Sequence, residues 1–137
     1  MSENTVDVVW EEVREPLIEY SSSAAGTYDV LGACFEVHNQ LGRGFSEVVY
    51  KNALEYEFGQ RNFFFEREKK FDIIYKDVLL AHHYYADFVV NRNVILEVKA
   101  QQGVLEDHYK QVINYLAVAG CELGLIVNFG ESSLKYK

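Results

Sequence analysis

The sequence predicts an α/β domain in which two helices lead into three antiparallel strands, a third helix and a buried fourth strand. Three observations carry that reading. Apolar residues recur at helical spacing in "YDVLGACFEVHNQLG" and again in "EDHYKQVINYLAVAG". The middle of the chain, "NFFFEREKKFDIIYKDVLLAHHYYADFVVNRNVILEVKA", is rich in aromatic and β-branched residues that suit a pleated, half-buried surface. Finally, "LGLIVNFG" is a short apolar run between glycines, as in a strand covered on both faces.

Taken in order, residues 1–26 form a peripheral N-terminal segment ending in the loose "SSSAAG", and residues 27–137 form a single domain. Thr27 is suited to cap a first helix over Tyr28 to Leu41, with Val30, Leu31, Cys34, Val37 and Leu41 on its apolar stripe and Gly42 to end it. A second helix is predicted from about Phe45 to Phe58. Glu47, Tyr50 and Leu54 fall on one of its faces, which puts an acidic residue on or beside the inward stripe. Turn-like breaks at Lys76-Asp77 and Asn91-Arg92-Asn93 divide the middle stretch into three strands.

With 137 residues, 49% of them hydrophobic, the chain is long enough for one core. No run approaches the roughly 20 apolar residues of a membrane span, and no basic segment followed by an apolar one opens the chain. The expectation is a soluble, cytoplasmic protein without a membrane partner. Cys34 and Cys121 lie among apolar residues without metal-ligand spacing and read as two reduced thiols. The net charge of −8 argues against the broad basic surface by which proteins usually hold nucleic acid. A divalent metal would offset repulsion at one phosphate without supplying such a surface. The chain carries neither a Gly-rich phosphate loop nor a recognisable Ser/His or Cys/His arrangement.

The informative stretch is "ADFVVNRNVILEVKA", Ala86 to Ala100. If Asn91-Arg92-Asn93 is a three-residue hairpin loop with Asn93 in the left-handed conformation, Val90 pairs with Val94 and Asp87 stands opposite Glu97. One face then carries Asp87, Val89, Ile95, Glu97 and Lys99. The other carries Ala86, Phe88, Val90, Val94, Leu96 and Val98 and is wholly apolar. Two carboxylates so close repel unless one is protonated or a cation sits between them, and a hard divalent ion is the simplest such cation. A two-residue loop would separate the pair, and a solvated sheet face with a cross-strand ion pair would explain the same residues.

Other polar groups read more plainly. His82 and His83 are adjacent on a strand, so only one of them can face Asp87, which weakens a His-metal site. His108, Gln111 and Tyr115 share a helix face that either lines a groove or is a partly solvated stripe. "FEREKKF", Phe65 to Phe71, reads as a charged edge strand that discourages aggregation rather than as a phosphate contact.

"GFSEVVY", Gly44 to Tyr50, matches a GxxExxY signature, and with "YADFVVNRNVILEVKA", "QVINYL" and "LGLIVNFG" the chain resembles the GxxExxY proteins of the PD-(D/E)xK nuclease superfamily from about Val30 to Gly130. The resemblance implies a central mixed sheet flanked by helices in αβββαβ order. It also implies metal-binding carboxylates at Asp87 and Glu97, a catalytic Lys99, and a further acidic ligand at Glu47. Gln111, with Tyr115 one turn on, matches the motif of the helix that follows. The implied reaction is hydrolysis of nucleic-acid phosphodiesters with Mg²⁺ or Mn²⁺. Ala86 stands where the superfamily's name has a Pro. A non-catalytic binding or assembly module on the same fold is the alternative, and an acidic nuclease of this size would gain grip as a homodimer.

Overall fold

The computed structural model describes residues 11–12, 26–103, 106–121 and 123–137. Of the segment read as peripheral, all but Glu11–Glu12 and Gly26 lies outside the described residues. The elements run β1 (Glu11–Glu12), α1 (Thr27–Leu41), α2 (Glu47–Gln60), β2 (Phe65–Tyr75), β3 (Val78–Val90), β4 (Val94–Lys99), α3 (Glu106–Ala119), β5 (Leu123–Asn128) and β6 (Lys135–Tyr136). The strands form one mixed sheet in the order β1-β6-β5-β4-β3-β2. Strands β4 and β5 are parallel, joined across α3, and the other neighbouring pairs are antiparallel. The predicted order is therefore present, with two-residue strands β1 and β6 added at the edge away from the long hairpin.

Helix starts differ from the sequence reading by a residue or two. Gly26 rather than Thr27 is the cap of α1, because the Asp29 carboxylate reaches back to accept the Gly26 N–H at 3.2 Å. Ser46, in extended conformation, caps α2, so Glu47 is its first residue and Phe45 lies outside. Tyr50 then pins the loop between the helices. Its hydroxyl donates to Gly42 O at 2.6 Å and accepts the Phe45 N–H, and its ring stacks on Phe129 at 4.6 Å. Gly44 in that loop has φ +113°, a conformation open to glycine.

Two cores lie on opposite sides of the sheet. Helices α1 and α2 cover one, where Tyr50, Leu54 and Phe58 meet Phe88, Leu96 and Val98. On the other side Tyr115, Leu116 and Ala119 of α3 cover Tyr84, Ala86, Val89 and Ile95. Burial of each large side chain contributes on the order of 1.5–3 kcal/mol.

The second cluster corrects the expected faces of β3. Ala86 was assigned with Phe88 and Val90, yet it packs on the α3 side with Val89. The cause is an inversion of the pleat. Phe65 in β2 and Phe88 in β3 pack toward α1 and α2, whereas Phe71, Ile73, Tyr84 and Ala86, on the same sequence parities, pack toward α3. The β2–β3 ladder pairs Arg67 with Phe88 and Lys69 with Ala86 but skips Glu68 and Asp87, and Glu68 has φ +54°. Both strands exchange faces at that one position.

At the β3–β4 turn Val90 pairs with Val94 as expected. Asn91 and Arg92, not Asn93, take the left-handed conformation, with φ of 51° and 66°. Asn91 is held by Phe64, whose N–H it accepts through Oδ1 and to whose carbonyl its own N–H donates, so the tie to the start of β2 selects its backbone. Beyond β4, Asn128 locks the next corner: its Oδ1 accepts the N–H groups of Gln101 and Gly130, and its Nδ2 donates to Gln101 O. A Cβ on Gly130 would lie 2.2 Å from Gln101 N, so only glycine lets these two backbones touch.

Candidate active site

Asp87 and Glu97 meet where the β3–β4 ladder gives way to side chains. The backbone register runs from Val90↔Val94 to Phe88↔Leu96. At the next step Glu97 Oε2 accepts the Asp87 N–H at 3.2 Å, and Asp87 Oδ2 accepts the Val98 N–H at 2.8 Å. Each carboxylate thus takes a backbone donor from the other strand, which fixes both with little rotamer freedom.

Because Asp87 sits at the face exchange, the pair joins both sides of the sheet rather than decorating one flat face. Toward α2, Lys51 Nζ lies 3.1 Å from Asp87 Oδ1 and 3.1 Å from Glu68 Oε1. Toward α3, the Tyr84 hydroxyl donates to Glu97 Oε2 at 2.6 Å, and the Tyr84 ring stacks on Tyr115 with centroids 3.8 Å apart. Gln111 donates to the Tyr115 hydroxyl at 3.2 Å, which completes a chain from the helix to the carboxylate. An open cleft of about 470 Å³ exposes this chain, with Glu97, Tyr84, Gln111 and Tyr115 in its wall.

Glu97 is 8% exposed, and its carboxyl is pushed up to about 7. Burial is the largest cause and the Asp87 charge the next; the Tyr84 and Asp87 hydrogen bonds and the Lys99 ammonium act the other way. Burial disfavours the charge on Lys51, but Asp87 and Glu68 outweigh it and hold the ammonium above its ordinary range. Tyr84, buried against both carboxylates, is held firmly protonated and so remains a donor.

The predicted residues are not equally close. Asp87, Glu97 and Lys99 come together at the end of β4, and Gln111 and Tyr115 reach Glu97 through Tyr84. Glu47, half-buried, opens α2 one turn before Lys51. Lys51, Glu68 and Tyr84 were not singled out from sequence. For Lys51 a signal existed, its i,i+4 spacing from Glu47 on a helix whose acidic residue had been read as facing inward. His83 Nδ1 lies 3.1 Å from Asp72 Oδ1. On the edge strand β2, Arg67 of "FEREKKF" pairs with Glu55 of α2, and Lys69 pairs with Glu66 of the same strand.

The donor set suits a hard divalent cation. Burial first, and the Asp87 charge second, raise the Glu97 carboxyl to about 7, so positive charge beside the pair would favour its ionised form. Among the described residues no cluster of three or more His, Cys, Asp or Glu ligands is present. The two carboxylates are a donor set that a hard divalent ion keeping several of its waters can use.

No described helix is long and apolar enough to cross a membrane. Comparison with curated proteins and with solved structures finds no match. The family description that does match, over residues 24–137, is that of the PD-(D/E)XK nuclease superfamily, and it spans all three helices, the four main strands and the carboxylate pair. With that coverage, an α/β mixed sheet flanked by helices, and Asp87, Glu97 and Lys99 on adjoining strands, the chain belongs to the PD-(D/E)XK nuclease superfamily.

Proposed function

We propose that this protein is a cytoplasmic, divalent-metal-dependent nuclease of the GxxExxY group that hydrolyses phosphodiester bonds of nucleic acid. The observation that carries the reading is the carboxylate pair itself: Asp87 and Glu97 are each tied to the opposite strand's backbone, with Lys99 two residues beyond Glu97 on β4. Of the signature residues Gly44, Glu47 and Tyr50, the glycine and tyrosine build the loop that starts α2, and Glu47 is the first residue of that helix.

Asp87 and Glu97 would hold Mg²⁺ or Mn²⁺, with Glu47 as a direct or water-mediated third ligand. Bound there, the ion supplies charge that activates water and offsets the charge developing on phosphate. The chain's own groups do the rest. The Val98 and Asp87 N–H groups and the Tyr84 hydroxyl orient the carboxylates, Gln111 and Tyr115 brace Tyr84 from the cleft side, and Lys99 offers an ammonium to the attacking water or the phosphate. The net charge of −8 leaves a single copy with little grip on a polyanion, so a homodimer or partner is part of the proposal. The same charge favours the alternative, a binding or assembly module that keeps the fold without turnover.

The test is calorimetric titration of Mn²⁺ into the wild type and into Asp87→Ala and Glu97→Ala, followed by cleavage assays on single- and double-stranded DNA and RNA with Lys99→Ala as control. Binding near one ion per chain, lost in both variants, together with Lys99-dependent cleavage, is the expected result. Metal binding without cleavage of any of these substrates would favour the assembly module, and a folded wild type that binds no ion would reject the metal site.

A further inference from the structure

Resting on the metal-dependent reading, we propose that Lys51 is a resident counter-ion that holds Asp87 poised and must yield Asp87 Oδ1 to an incoming divalent cation, with Glu68 as the carboxylate that retains the displaced ammonium. Lys51 Nζ makes two contacts of equal length, 3.1 Å to Asp87 Oδ1 and 3.1 Å to Glu68 Oε1. Their surroundings differ. The side chains of Lys51 and Asp87 are 15% and 14% exposed, whereas that of Glu68 is 50% exposed. The bridge therefore has a dry end at the site and a wet end at the sheet edge.

An ammonium and a divalent cation sharing one carboxylate oxygen in a partly desolvated place repel strongly, so one must move. Asp87 Oδ2 is committed to the Val98 N–H, and Glu97 Oε2 to Tyr84 and the Asp87 N–H, so Oδ1 is the Asp87 oxygen held by a side chain, Lys51, rather than by backbone. Lys51 can leave it and keep Glu68. The backbone serves the same exchange: Glu68 adopts φ +54°, uncommon for a side-chain-bearing residue, at the position opposite Asp87 where the ladder is skipped.

If Lys51 merely pinned α2 to the hairpin, its neutralisation would lower stability and leave metal affinity unchanged. As a positioning residue that competes with the ion, it gives a different outcome. Calorimetric titration with Mn²⁺ is expected to show Lys51→Met binding about tenfold tighter than wild type, with Lys51→Arg, which keeps the charge, near wild type. In thermal denaturation, metal-free Lys51→Met should melt below wild type, since the partly buried Asp87 loses its cation, and Mn²⁺ should raise its melting temperature more than it raises that of the wild type. Should Lys51→Met not fold without metal, Lys51→Gln allows the same comparison. Equal or weaker Mn²⁺ binding by a folded neutral variant, beside a wild type that binds, overturns the role of Lys51 alone. Absence of binding by the wild type and every folded variant overturns the metal site and this proposal with it.

Discussion

Strand β3 passes through two environments that its composition does not distinguish. From Val78 to Ala81 every residue is exposed, and with Ile74 and Tyr75 these form the free end of a hairpin with apolar side chains on both surfaces. From Phe88 to Val90 every residue is buried between helices. Asp87 lies at the border, where the pleat inverts and hydrogen bonding passes from backbone to side chain. The comparison teaches that strand-forming sequence fixes the ribbon, while the helices decide which half of it can hold a buried carboxylate pair.

The comparison can be broken most severely at Phe88, which is 0% exposed and edge-on to Phe58 at 5.2 Å. Phe88→Ala should cost about 3–5 kcal/mol by cavity formation, read as a lower denaturation midpoint at unchanged slope. A loss below 1 kcal/mol would mean that the two halves of β3 are not energetically distinct.

A smaller effect, dependent on pH, is expected at Glu97. Its carboxyl is raised from the ordinary range to about 7, so the folded state binds the proton more tightly than the unfolded chain. That contribution is full below the unfolded value near 4.5 and is lost as pH rises through 7. Glu97→Gln, which cannot ionise, should therefore exceed the metal-free wild type in stability by up to about 3 kcal/mol at pH 8, with the gain fading toward pH 5. A pH-independent difference between the two proteins would contradict the burial and Asp87 repulsion assigned here.

The smallest effect belongs to the free end of the hairpin. Leu79, 58% exposed, should tolerate Leu79→Ser within about 0.5 kcal/mol by thermal or chemical denaturation. A larger loss would show that something covers the tip, and repeating the measurement across protein concentrations would identify self-association as the cover.

Much of this was legible in the sequence, for reasons tied to particular residues. Asn91-Arg92-Asn93 and the alternation on each side of it set the register that brings Asp87 to Glu97, because a turn of known length leaves one pairing that buries the apolar set. Gly42 and Gly120 end helices as expected, both with positive φ. The face exchange was not legible, since the five consecutive charged residues of "FEREKKF" carry no apolar period whose break could mark it, and the inversion shows only in the packing and in the backbone of Glu68. Lys51 was hidden for a related reason. A lysine on a charged helix looks solvated until the sheet shows which carboxylate it meets. Lys135–Tyr136 is too short to carry any period, and its pairing with β5 depends wholly on tertiary context.

The corner tied by Asn128 and Gly130 has a consequence for how the molecule breathes. The amides of Gln101 and Gly130 belong to no ladder, yet both are shielded by one side-chain oxygen. Their exchange with solvent deuterium should be slow in step with each other and should speed up only when β4 and β5 part at the Lys99 end. Two neighbouring amides thus act as a native clock for opening beside the carboxylates, readable without any label or ligand.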